Sequence, residues 1–239
     1  MLSAELFDFL WRSLPNLLLG FPTERPGGLL LSVMIAFGSI GIGFGISIIV
    51  GVLSTSRFRV VRLLTSVYIN LGRALPLLFL LLFVHQFIGG RRFDLILQPI
   101  ESAIIALTVY ASAYFAETIK AGWLATPSNH IAAAKLLGGH SGRIMLLRLR
   151  YTLHHFWPAL TNTIITIFKD TSVISVLAVT ELTLVARATL SSDFQNTQYA
   201  VQLYIFVGLL YASVALLISQ LAVSWSNPRS VKHHVTRLI

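Results

Sequence analysis

Residues 26–56 read PGGLLLSVMIAFGSIGIGFGISIIVGVLSTS, with no charged side chain anywhere in the run. The stretch is longer than the roughly 20 residues a helix needs to cross a bilayer. Four further uncharged runs, 74–90, 102–116, 151–168 and 194–228, approach or exceed that length. Apolar runs of this kind read as membrane-spanning helices. The expected fold class is an all-α polytopic membrane protein with five transmembrane helices, near 28–53, 63–88, 102–122, 158–184 and 198–224. The composition agrees. Of 239 residues, 55% are hydrophobic and 11% charged, and the mean hydropathy is +0.78. These values exclude a disordered chain and an ordinary soluble domain.

The charges sort by side. If alternate loops face one compartment, it receives Arg57, Arg59 and Arg62, then Lys120, Lys135, Arg143, Arg148 and Arg150, then Arg229, Lys232 and Arg237. No Asp or Glu lies in those loops or the tail. The opposite side holds Arg12, Arg25, Arg91, Arg92 and Arg187 with most of the acids. The positive-inside rule therefore predicts the N-terminus outside and the C-terminus in the cytoplasm. The same bias, meeting anionic lipid, accounts for the net charge of +9 better than nucleic-acid binding does. With no Cys, disulfides, thiol nucleophiles and Cys-ligated metals are excluded. An early acidic N-terminus (Glu5, Asp8), interrupted by Arg12, does not match a cleavable signal peptide.

Residues 2–21 are amphipathic, with Leu6, Phe9, Leu10 and Trp11 suited to the membrane interface and Pro15 expected to break any helix. Thr23 to Gly28 reads as a hinge, and Gly89 to Arg92 as an external turn. In the first span, Gly38, Gly41, Gly43, Gly45 and Gly51 are expected to permit close helix approach. Gly72-Arg73 and Pro76 interrupt the second. The expected organisation is an external or interfacial segment 1–26, a transmembrane domain 27–224 and a basic cytoplasmic tail 225–239.

Enzyme motifs are few. No GxxxxGK phosphate loop, HExxH or GxSxG occurs, and His154-His155 is adjacent rather than at the i,i+4 spacing of a helical metal pair. No metal site is expected. The segment 123–157 between spans three and four is long for a helix connection. Within it, Thr126-Pro127 predicts an N-cap followed by proline at the first helical position. Residues 128–137 are good helix formers, and Gly138-Gly139 should end the run. The result is a short helix whose alanine face lets a partner approach closely; a solvated connector is the bland alternative.

Ionisable side chains inside spans are costly and are usually paired or face a cavity. Here they are Arg73, Glu117, Lys169, Asp170 and Glu181. Tyr110, Tyr114 and Glu117, spaced i, i+4, i+7, form one stripe. Asp170 and Glu181, three turns apart, are expected on one face of span four, with Lys169 about 100° away and Ser172 and Thr180 near its side. Two readings stay open: a polar lining for a solute, or structural pairs such as Arg73 with Glu117.

Together these segments resemble the permease subunit of a type I ABC importer, in the polar amino acid uptake branch that includes histidine, glutamine and arginine permeases. The resemblance runs over about 27–224. Gly72-Arg73-Ala74-Leu75-Pro76-Leu77-Leu78 is similar to the family's R-G-T-P-L-L stretch. Residues 114–122, YFAETIKAG, are similar to Y-x-A-E-x-x-R-G-G, and Lys169-Asp170-Thr171-Ser172 to K-D-T-S-L with Val173 in place of Leu. The loop helix resembles the coupling helix, E-A-A-x-x-x-G followed at a fixed gap by I-x-L-P. Ala133, Ala134 and Gly138 match it; Ala132 stands where Glu is expected, and Arg148, Arg150 and Tyr151 replace I, L and P.

The resemblance implies a bacterial inner-membrane, multi-pass subunit without enzymatic activity or cofactor of its own. ATP and Mg²⁺ would be held by a cytosolic ATPase docked at Ala132, Ala133, Ala134 and Gly138. A second permease chain, identical or different, and an external solute-binding protein would complete the importer. Arg73, Tyr110, Tyr114, Glu117, Lys169, Asp170, Ser172 and Glu181 are the candidate lining for an amino acid. A self-contained ion-coupled carrier or channel is the main alternative, and a multispan membrane enzyme a second.

Overall fold

The computed structural model describes residues 2–21, 26–90 and 96–226. The expected tail, the external turn at Arg91-Arg92 and residues 23–25 of the hinge at 23–28 lie outside the described residues. Those that are described form helices and short connections. α1 is Leu2–Leu19, α2 Gly28–Leu53, α3 Arg59–Ala74 and α4 Leu77–Leu82, which continues as a π-helical turn, Phe83–Ile88. α5 is Pro99–Leu124, α6 Ser128–Leu136, α7 Ser141–His155 and α8 Trp157–Asp170, followed by a 3₁₀ turn, Thr171–Leu177. α9 is Leu182–Ser191; a second 3₁₀ turn, Phe194–Tyr199, leads into α10, Ala200–Ser226.

α2 and α5 form the central pair, and small residues let them touch. Ser39, Gly43, Ser47 and Gly51 recur every four residues on α2 and so share one face. A Cβ on Gly43 would lie 3.0 Å from both the Ala111 Cβ and the Thr108 carbonyl; one on Gly51 would meet Ile119 at 2.8 Å. A Cβ on Gly38, Gly41 or Gly45 would meet nothing within 4 Å outside its own helix turn, so among the described residues only two of the five span glycines serve close packing. The main core lies between α2, α4, α5, α8 and the first 3₁₀ turn, around Ile35, Leu81, Leu107, Phe115 and Phe168. A second core joins α1, α9 and α10 through Leu17, Leu182, Val185, Leu203 and Val207.

By length and composition, α2, α5 and the stretch Phe194–Ser224 can cross a membrane, and α3 with α4 is a fourth candidate bent by 106°. Leu75 takes the extended conformation required of a residue before proline, and the helix restarts after Pro76.

Three expectations are corrected. α1 runs through Pro15. Pro15 and Trp11 are exposed, so the carbonyl freed by the missing N–H need not be buried. The stretch 158–184 is not one helix: α8 ends at Asp170, and a 3₁₀ turn and Ala178 in the left-handed region (φ 57°) separate it from α9. Asp170 and Glu181 therefore do not share a helix face. Thr126 does not cap α6. Its buried hydroxyl donates to the Gly122 carbonyl (3.3 Å), and α6 starts one residue later than expected, after Pro127 and without a side-chain cap. The other end of α6 is as expected. Gly138, at φ 74°, closes it with Gly138 N–H on Lys135 O (3.0 Å) and Gly139 N–H on Ala134 O (2.8 Å), a bonding pattern that favours glycine.

Candidate functional site

The candidate residues divide among three places. The first is a polar cleft between α5 and α8, about 260 Å³ in volume, lined by Tyr110, Tyr114 and Thr118 on one side and Asn162, Thr163 and Thr166 on the other. The Tyr110 and Tyr114 rings lie 4.7 Å apart, as their i,i+4 spacing requires. Asp170 is within reach of the Tyr110 hydroxyl. Thr163 and Thr166 donate their protons back to Ala159 O and Asn162 O, leaving hydroxyl lone pairs for the cleft. The Asn162 amide has no hydrogen bond among the described residues.

At the edge of this cleft α3 meets α5. Arg73 Nη1 lies 3.7 Å from Glu117 Oε2, and Lys120 Nζ 3.6 Å from the same oxygen. Both are ion pairs beyond hydrogen-bond length, so Glu117 is held between two cations without a direct bond to either. The Arg73 guanidinium also sits over the Tyr114 ring at 5.8 Å, a cation–π contact. The anticipated Arg73–Glu117 pair is thus present, and it fixes the α3 end just before the Pro76 break.

The second place is on the other side of α8. Lys169 and Ser172 line a groove of about 720 Å³ shared with α10, which contributes Tyr211 and Ser219. Because Lys169 and Asp170 are consecutive, they point about 100° apart; Lys169 lines this groove, and Asp170 faces Tyr110.

The third holds Glu181, which is fully buried and lines neither groove. Its carboxylate caps α9, accepting Thr183 N–H and Leu184 N–H at 2.9 Å each. It also accepts the Tyr211 hydroxyl at 2.8 Å and the Ser32 hydroxyl at 3.4 Å. Ser32 Oγ in turn accepts Leu182 N–H (3.2 Å), and Thr180 O accepts Gly28 N–H (2.9 Å). Glu181 is the knot that joins α2, α9 and α10.

The loop between α5 and α8 is folded throughout. α6 buries none of its residues, and Leu136 and Leu137 at its end are 88% and 85% exposed. α7 is capped by His140, whose Nδ1 accepts Arg143 N–H at 3.1 Å. It packs back on α5 where Thr152 lies against Gly122 and the Arg148 guanidinium covers the Trp123 ring at 5.4 Å. His155 stacks on Tyr151. No group of three or more His, Asp or Glu among the described residues could hold a metal ion.

Asn162, Thr163 and Thr166 were not anticipated from the sequence. The i,i+4 spacing of Asn162 and Thr166 within an otherwise apolar run was the available signal.

A polytopic helical body with a polar cleft and a folded loop helix that packs on little of its own chain defines a membrane transport subunit. The family model for the binding-protein-dependent transport system inner membrane component matches residues 43–232, and the chain belongs to that family. It is 28% identical over 236 residues to the glutamate/aspartate import permease protein GltK of Escherichia coli O6:H1, covering 94% of this chain and 100% of that one. It is 28% identical to the L-cystine transport system permease protein TcyB of Bacillus subtilis, covering 81% of each. Among solved structures, an amino acid ABC transporter determined with histidines matches at TM-score 0.73 and 26% identity, over 83% of this chain and 91% of that one. The MetNI methionine ABC transporter shares the fold at TM-score 0.61 and 19% identity, over 82% of this chain and 93% of that chain. The fold is that of ABC transporter permeases and not of a self-contained carrier or channel.

Proposed function

We propose that this chain is the membrane-spanning permease subunit of an ATP-driven importer of polar amino acids. The carrying observation is α6, a helix that buries nothing in its own chain yet is closed at its end by a glycine-specific turn. A helix of nine residues is too short to be stable in isolation, which suits an element whose exposed face is covered by a partner. Ala132 and Ala133, both exposed, with Ala134 and Gly138 beside them, form the docking surface for a cytosolic ATPase. ATP and Mg²⁺ belong to that ATPase; this chain supplies no nucleotide site.

Five crossings complete the permease: α2, the bent α3–α4 pair, α5, α8 with its 3₁₀ continuation, and α10. Taking about 1.5 Å per α-helical and about 2 Å per 3₁₀ residue, Trp157–Leu177 extends about 35 Å, enough for a hydrocarbon core of about 30 Å. The N-terminus is outside and the C-terminus cytoplasmic, with 123–157 as the cytoplasmic coupling segment. A second permease chain and an external solute-binding protein are the remaining partners.

The amino acid class is supported by the relatives, whose names specify glutamate/aspartate and L-cystine. In this chain the α5–α8 cleft is the candidate pathway surface. Asp170 and Glu117 attract an amino group; Arg73, at the edge of that cleft, or Lys169, in the groove between α8 and α10, meets a carboxylate.

Ala133→Arg tests the coupling. It places a long cation on the small-residue surface and should abolish binding-protein-stimulated ATPase activity in the reconstituted complex while the chain still inserts. Normal stimulation in that variant would refute the docking surface.

A further inference from the structure

Where α2 and α5 end and α3 begins, the chain forms a cleft of about 570 Å³ that the transport reading does not use. Ser54, Thr55, Arg59, Arg62, Ser66 and Lys120 supply its polar lining, and Leu63 and Leu124 its apolar edge; among the described residues no carboxylate lines it. Three cations thus converge with three hydroxyls. Arg62 is held in place by its Nη1 donating to Ser56 O at 3.2 Å. Ser54 and Thr55 donate to Gly51 O (2.7 Å) and Val52 O (2.8 Å), which leaves their lone pairs outward. Arg59 has no ion pair or hydrogen bond among the described residues, and the one carboxylate near the cleft, Glu117, already lies between Lys120 and Arg73.

The charge of Arg59 and Arg62 has no ion-pair partner among the described residues, and its position is informative. Ser54 follows the last residue of α2 and Leu124 is the last residue of α5, so the cleft sits at the depth where two spans leave the membrane. The apolar residues flanking it, Val60, Leu63, Leu64 and Leu124, are all exposed. A soluble anion uses only the cations, whereas a lipid uses both the cations and the apolar flank.

We infer that this cleft binds the phosphate ester of an anionic phospholipid, its acyl chains lying along the exposed face of α3. The leaflet, the cytoplasmic one, follows from the proposed orientation; the binding itself does not depend on it. Basic pockets between spans on that side are suited to acidic headgroups, each cation near the surface contributing about 1 kcal/mol.

The test uses the intact purified transporter complex titrated with phosphatidylglycerol or phosphatidylcholine, with bound lipid counted by native mass spectrometry. Phosphatidylglycerol should be retained in preference to phosphatidylcholine, and Arg59→Gln/Arg62→Gln should weaken that retention roughly tenfold or more. Arg59→Lys/Arg62→Lys should largely preserve it. Arg143→Gln/Arg150→Gln, which removes the same charge from exposed positions on α7, should leave it unchanged. Should the double Gln variant fail to assemble, Ser66→Leu fills the cleft without altering charge and should also weaken retention. Equal losses in the α7 control, or no loss in either cleft variant, would overturn the site. Displacement of the lipid by millimolar inorganic phosphate would assign the cleft to a soluble anion and overturn the lipid. External labelling of a cysteine at Ser141 would refute the orientation while leaving lipid retention as predicted, so the two failures are distinguishable.

Discussion

The Tyr211 hydroxyl donates to Glu181 Oε2 at 2.8 Å, tying the last helix to the break between α8 and α9. Three further donors converge on the same carboxylate. Replacing Glu181 with Ala removes an N-cap, worth about 0.5–2 kcal/mol, and removes the charged acceptor of the Tyr211 hydroxyl, a hydrogen bond worth about 1.5–3 kcal/mol. Glu181→Ala should lower folded yield and thermal stability, with Tyr211→Phe lowering them less. The surviving protein should keep wild-type amino acid selectivity in competition assays. A changed arginine, glutamine and glutamate profile with undiminished yield would place Glu181 on the solute instead.

Asp170 and Asn162 should behave in the opposite way. Asn162 lines the α5–α8 cleft and Asp170 reaches its Tyr110, and neither is locked into the core. Asp170→Asn and Asn162→Ala should therefore alter transport selectivity while purified yield stays near wild type. Competition profiles measured beside yield decide this, and unchanged profiles in both variants would remove the cleft from the pathway.

The glycines of α2 should separate by face. Gly51→Val brings methyl groups onto Ile119, where even a bare Cβ would sit at 2.8 Å; overpacking of this kind costs about 1–3 kcal/mol. Gly41→Val, where an added Cβ meets nothing within 4 Å among the described residues, should leave the chain's own fold intact. Thermal unfolding of the two purified variants checks the contrast.

The orientation is open to direct test because the chain has no cysteine. A single cysteine at Ser141 should resist an impermeant thiol reagent added to sealed cells and react after the cells are opened. Labelling in sealed cells would reverse the predicted topology.

Much of the architecture was legible because it follows from local rules. Uncharged length marked α2, α5 and α10, Pro76 marked the sharp bend, and Gly138 marked the end of α6. The Tyr110–Tyr114 stripe could be read because α5 is one unbroken helix; the Arg73–Glu117 pair, which joins α3 to α5, followed from the need of a charge inside a span for a partner. Projection failed between Asp170 and Glu181, where no Gly or Pro signals a break. There the chain is turned by distant partners: Gly28 bonds Thr180, and Ser32 and Tyr211 bond Glu181. Which glycines of α2 meet α5 likewise depended on a packing angle that sequence spacing does not contain. α7 went unrecognised for a related reason. Its partners are a ring and a glycine on α5, Trp123 and Gly122, and its own pattern is too basic to read as a buried helix.

The central claim is that the chain moves solute only when coupled to an ATPase. The most direct measurement is uptake of radiolabelled amino acid into proteoliposomes holding the chain and its partner permease, with binding protein outside and ATP inside. Uptake should require both ATP and the ATPase subunit, and should be lost when either is omitted. Uptake by the permease chains alone, driven by a proton or sodium gradient, would contradict the account.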